Sequence, residues 1–92
     1  MPSFVVIEAN VRDPAARDRY AAMAGPILKE YGGVTVAFGP WHDLSGRSDH
    51  RMGMIIQFED RTSAMAWYDS PGYQGLISLR NEGLDCRFRL LG

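Results

Sequence analysis

Few side chains in this sequence are of types that do chemistry, and none falls into a familiar catalytic spacing. Glu8 stands inside the apolar stretch Phe4-Val-Val-Ile-Glu-Ala-Asn-Val11. A carboxylate there is costly without a partner. If an arginine holds it ionised, its pKa is lowered and it is a poor base. If only Gln57 and apolar groups surround it, its pKa rises and proton abstraction becomes feasible. His42 follows Trp41 directly, and imidazole, with an unperturbed pKa of about 6.5, suits proton transfer near neutrality. Glu8 and His42 are therefore the candidate bases. Trp41, His42, Gln57, Tyr68 and Arg80 are the candidate ligand contacts, with Arg80 as an anion clamp. The competing structural reading puts Glu8 in an ion-pair and amide cluster with Gln57 and Arg87 or Arg89. In that reading His42 is a loop residue, Trp67 and Tyr68 anchor the core and rim, and Arg80 caps or pairs on the surface.

Several classes are excluded. There is no nucleophile elbow, no Gly-rich phosphate loop, no Cys-x-x-Cys and no His-Glu-x-x-His. The single cysteine, Cys86, rules out an internal disulfide and a cysteine-rich zinc site, and reads as a small buried thiol on a strand. His42 and His50 beside Asp43 and Asp49 read as solvated loop histidines, so neither a metal nor a cofactor is expected. Ten basic against eleven acidic residues, a net charge of -1, leave no electrostatic footprint for nucleic acid or an anionic membrane.

These residues need a scaffold, and 92 residues suit one domain spanning 1–92. A hydrophobic fraction of 46% excludes intrinsic disorder. The opening apolar run is too short for a signal peptide, and no run approaches membrane-spanning length, so a cytoplasmic setting is expected. So short a chain buries only about 60–65% of its unfolded surface, and oligomerisation is a usual remedy.

The pattern along the chain gives the elements. Phe4 to Val11 reads as a strand whose odd positions, Val5, Ile7, Ala9 and Val11, face a helical layer, while Phe4, Val6, Glu8 and Asn10 form a mixed face. Asp13-Pro14 starts a helix with an apolar stripe at Ala16, Tyr20, Met23, Ile27 and Tyr31; Pro26 should kink it, and Gly32-Gly33 end it. Val34 to Phe38 and Arg51 to Phe58 are the second and third strands, joined by a polar loop. A helix carrying Ala64, Trp67 and Tyr68 follows, with Trp67 in the helix–sheet core. Ser70-Pro71 starts a short helix through Arg80, and Leu84 to Leu91 is the last strand. This βαββαβ order with an extra short helix is the α+β, ferredoxin-like sandwich. Its second sheet face, part apolar and part charged, suits a symmetric partner, so the chain itself is the expected partner.

The segment Ala66-Trp-Tyr-Asp-Ser-Pro-Gly-Tyr-Gln-Gly-Leu-Ile-Ser-Leu-Arg80, with Tyr31-Gly-Gly33 and Phe58, resembles the family catalogued as domain of unknown function 1330. The resemblance covers nearly the whole chain. It implies a dimeric α/β barrel, in which two ferredoxin-like protomers pack sheet to sheet. That superfamily includes cofactor-free monooxygenases and isomerases as well as members with no assigned activity. This chain departs from the pattern at Phe38, where a basic residue is expected, at Pro40 for glycine, and at Gln57 for an acid, which suggests a replaced charge pair.

Three readings of function follow. The chain is a homodimer that binds a small apolar or aromatic metabolite in a cleft of each protomer. Alternatively, it is a cofactor-independent monooxygenase or isomerase with His42 or Glu8 as base, or a purely structural interaction module. A cleft of several hundred Å³ favours the first two, and a closed core favours the third.

Overall fold

The computed structural model describes residues 1–92. Eight elements follow one another: β1 (Ser3–Val11), α1 (Pro14–Glu30), β2 (Val34–Pro40), β3 (Met52–Phe58), α2 (Arg61–Asp69), α3 (Pro71–Gln74), α4 (Ile77–Gly83) and β4 (Leu84–Leu91). The strands form one antiparallel sheet in the order β2-β3-β1-β4. This is the ferredoxin-like arrangement, with the helices on one sheet face.

The alternation along β1 sorts its side chains as the sequence implies. Val5, Ile7 and Ala9 are buried under the helices, whereas Phe4, Val6, Glu8 and Asn10 are half-buried on the opposite, open face. Antiparallel partners share a face, so Ile56 and Met54 of β3 and Leu90 and Phe88 of β4 join the helix side. Val5, Ile7, Ile56, Phe58, Ala64, Trp67 and Tyr73 form the core. The Cα framework is only 16 Å along its shortest axis, as befits one sheet carrying one helical layer.

Caps set the helix boundaries. Asp13 accepts from the Ala15 N–H at 3.0 Å, and Asp60 from the Ser63 N–H at 2.7 Å. Ser70 accepts from Tyr73 N and donates to Trp67 O, turning the chain between α2 and α3. The helix expected from Ser70-Pro71 through Arg80 is two pieces, because Gly75 closes the first turn with its N–H on Pro71 O and Tyr73 O. α1 runs from Pro14 to Glu30 with Pro26 inside it. Met23, placed by periodicity on the inward stripe, is 54% exposed. Ala24 and Leu28 turn toward the sheet in its place.

α1 packs chiefly against α4 rather than on the sheet. The contact is backbone to backbone: a Cβ on Gly83 would lie 2.4 Å from Arg17 N, and Ala16 is fully buried beside it. Gly83 O also accepts from Arg12 N at 2.8 Å and Asp13 N at 3.2 Å, tying the end of α4 to the start of α1. Only glycine fits here, and the reason is space, since Gly83 needs no left-handed backbone. Gly83→Ala is expected to destabilise the fold by about 2–3 kcal/mol or more, as overpacking against rigid backbone does. Chemical denaturation checks it, and a loss below about 0.5 kcal/mol contradicts it.

Candidate functional site

Because α1 leans on α4, its sheet-facing side stands over a gap. Small residues widen that gap: Ala21, Ala24 and Gly25 face the sheet between Tyr20 and Leu28. The result is a cavity of about 460 Å³, within the range typical of small-molecule sites. Ile7, Met54 and Ile56 line its sheet side, buried Trp67 and half-buried Phe88 also border it, and exposed Phe38 lies on its rim. Fourteen of the eighteen lining residues are hydrophobic, and none is acidic. Such a space favours an apolar occupant and offers a cation no counter-charge.

A polar cluster lies behind this wall. Tyr73 is fully buried, its ring 4.6 Å from that of Trp67 and 5.1 Å from that of Tyr68 between centroids. Arg80 Nη1 donates to the hydroxyls of Tyr68 and Tyr73, each at 3.1 Å. Its guanidinium carbon sits 4.7 Å from the centre of the Phe88 ring, within cation–π range. The hydroxyls of Tyr73 and Tyr20 are 2.7 Å apart. Burial pushes the pKa of both Tyr20 and Tyr73 upward, so they stay protonated. Burial also works against the charge on Arg80, but its hydrogen bonds to Tyr68 and Tyr73 outweigh it and keep the pKa above the ordinary value. The Trp67 indole N–H is buried and meets no acceptor. Cys86 is half-buried on β4 and burial pushes its thiol up, away from reactivity.

The open face carries a different cluster. Arg87 donates from Nε to Glu8 Oε2 at 2.8 Å, and its Nη2 reaches the same oxygen. Ser48 donates to Glu8 Oε1 at 3.3 Å. The β2–β3 loop folds back to make this contact: Asn10 donates to Asp49 O and accepts from Arg51 N, each at 2.8 Å. That fold-back draws His50 out of solvent and sets it 3.8 Å from Asp85, so His50 is not the solvated loop residue its surroundings suggest. Trp41 lies across Gly53, where a Cβ would come within 2.4 Å of its ring, and donates from Nε1 to Met52 O.

The sheet thus separates the residues that sequence reasoning groups together. Tyr68 and Arg80 meet in the cluster behind the cavity. Glu8, Trp41 and Gln57 lie on the other side, and His42 is exposed in the loop. Gln57 does not reach Glu8, because the register pairs it with Phe4 and Val34, while Glu8 lies opposite Gly53. Nor do Phe38 and Gln57 stand in for a charge pair. Phe38 pairs with Met54 on the helix side, and Gln57 belongs to the open face. Arg80 is not the surface residue of the structural reading, being only 9% exposed. Sequence reasoning misses the cavity wall on α1; the available signal is the run of small residues Ala21, Ala24 and Gly25, which an ordinary core-facing helix would replace with larger ones.

The Arg87 hydrogen bond holds the Glu8 carboxyl below its usual value of 4.5, against the opposing effect of burial. The unfolded chain therefore takes up this proton at higher pH than the folded one. The stabilisation is present above the unfolded value and is lost as pH falls through the folded one. Arg87→Met should lower the melting temperature near neutrality, with the gap to wild type narrowing as pH falls below the ordinary carboxyl value of 4.5. Melting curves across pH 3 to 7 check this, and a gap independent of pH contradicts it.

A family model described as domain of unknown function (DUF1330) matches residues 2–92. No curated protein matches the chain significantly. Among solved structures, a protein of unknown function from Rhodopseudomonas palustris superposes with a TM-score of 0.79 at 19% identity, covering 98% of this chain and 80% of its own. SnoaB, a cofactor-independent oxygenase from Streptomyces nogalater, gives 0.71 at 14% identity over 99% of this chain and 91% of its own. A dimeric ferredoxin-like protein of unknown function from Jannaschia sp. CCS1 gives 0.66 at 19% identity over 100% of this chain and 99% of its own. At such identities the likeness is one of fold.

Proposed function

The chain belongs to the domain of unknown function family (DUF1330), and from that premise we propose that it is a homodimer binding a small apolar or aromatic metabolite in each protomer. The observation that carries the reading is the cavity of about 460 Å³ between α1 and the sheet, overwhelmingly apolar yet backed by a polar cluster. A purely structural module has no use for such a void, since an unfilled apolar cavity costs stability.

The open face supports the dimer. Phe4 and Val6 are half-buried there, Leu91 is 67% exposed, and no helix covers them. The Jannaschia neighbour is a dimeric ferredoxin-like protein. A partner sheet on this face would also shield the Glu8–Arg87 pair from solvent. Sheet-to-sheet packing leaves the cavity, on the opposite side, free in each protomer.

The enzymatic reading draws on the fold shared with SnoaB, a cofactor-independent oxygenase. It needs a base at the ligand. His42 is exposed in the β2–β3 loop, and Glu8 is held ionised by Arg87 on the far side of the sheet, so neither serves the cavity. Binding is therefore the function that this geometry supports best.

Two measurements test it. Sedimentation equilibrium at micromolar protein should give about twice the 10.3 kDa chain mass; a monomer contradicts the dimer. Calorimetric titration with tetralin, a two-ring hydrocarbon, should show binding to the wild type and at least a tenfold loss in Ala24→Leu, which fills the cavity from α1. Equal affinity in a folded Ala24→Leu, or none in the wild type, contradicts the cavity as the binding site.

A further inference from the structure

The cluster behind the cavity has a direction, and Arg80 sets it. A guanidinium only donates hydrogen bonds, so the Tyr73 oxygen accepts from Arg80 Nη1. Besides Arg80, the Tyr73 hydroxyl meets only the Tyr20 hydroxyl, at 2.7 Å. Were Tyr20 the donor between the two, the Tyr73 proton would be left unpaired at a residue with no exposure at all. Native interiors avoid such orphaned donors. Tyr73 therefore donates to Tyr20.

The hydroxyl proton of Tyr20 is then unspent. No protein acceptor takes it, and Tyr20 is the member of the chain that borders the cavity. Electrostatics point the same way. Arg80 has no carboxylate within 4 Å, no acid lines the cavity, and the one basic residue on the lining, Arg17, is engaged by Asp18 at 2.7 Å. The uncompensated charge of Arg80 polarises the two hydroxyls in series toward the cavity.

Building on the reading of this cavity as a ligand site, we propose that Tyr20 donates its hydroxyl proton to an oxygen on the occupant, so that the ligand class is apolar ring compounds bearing a carbonyl. A ketone or quinone oxygen accepts from Tyr20, and the arrangement grows stronger as that oxygen gains negative charge, as in an enolate. Amines and other donor-only ligands are disfavoured, because the polar end of the site offers a donor and no acid. Tyr73 and Arg80 are positioning residues here, acting on the ligand only through Tyr20.

A matched pair of probes tests this: 1-tetralone, a two-ring ketone, and tetralin, the same skeleton without the oxygen. Tyr20→Phe keeps the ring and removes only the hydroxyl. Calorimetry should show 1-tetralone binding weakened about three- to tenfold in Tyr20→Phe, with tetralin unchanged. The carbonyl stretch of 1-tetralone bound to the wild type should lie below its value in cyclohexane, a reading that requires no variant to fold. An unshifted band, or equal loss of both probes in Tyr20→Phe, overturns the donor role while leaving the cavity reading intact. Failure of both probes to bind the wild type overturns the cavity reading and the donor role with it.

Discussion

Arg80 carries a positive charge into a helical layer that holds no carboxylate within 4 Å of it. Its charge must be met by neutral groups, and the surrounding elements are organised to supply them. α2 contributes the Tyr68 hydroxyl, α3 the Tyr73 hydroxyl and ring, and β4 the face of Phe88. Tyr73 is the joint of this assembly. It touches Tyr20 of α1, Trp67 and Tyr68 of α2, and Phe88 of β4. Ser70 and Pro71 fix where the helix holding Tyr73 begins, and so fix the joint itself. A buried cation without an ion-pair partner is costly. That cost is offset by two hydroxyl acceptors, the Asn81 amide oxygen at 3.3 Å and an aromatic face.

With the helical layer pinned here and at Gly83, α1 is held by α4 and spans the sheet without settling on it. The small side chains on its sheet-facing side do the rest. The cavity is thus a consequence of where α1 is anchored, and the hydroxyl cluster behind it is a consequence of how Arg80 is satisfied. The sheet keeps this side separate from the open face, where Glu8 and Arg87 hold each other and the β2–β3 loop folds over them. One side of the sheet is left without a helical cover, and the other holds the apolar cavity.

Much of the scaffold is legible in the sequence because it is written in local signals. The alternation from Phe4 to Val11 gives the strand and its two faces, and Asp13-Pro14, Asp60 and Ser70-Pro71 mark the helix starts. Trp67, 2% exposed, lies in the core where the pattern puts it. The site is less legible, because it depends on register and on tilt. Glu8 and Gln57 share a sheet face yet lie apart once β1 pairs with β3, and no local pattern shows that offset. Met23 can be placed on the 3.6-residue stripe but is 54% exposed, while Ala24 and Leu28, four and eight residues after Tyr20, take the inward positions. The loop from Trp41 to Arg51 looks polar and free; the bonds from Asn10 that fold it back join residues about forty positions apart. Arg80 looks like a surface helix end, and only the tertiary meeting of Tyr68, Tyr73 and Phe88 makes it an interior cation.

Neutron diffraction from deuterated crystals observes the direction of the hydroxyl chain atom by atom. The Tyr73 deuterium should lie along the line to the Tyr20 oxygen, with the Tyr20 deuterium turned away from Tyr73 into the cavity. Finding the Tyr20 deuterium between the two oxygens, with the Tyr73 deuterium elsewhere, would contradict it.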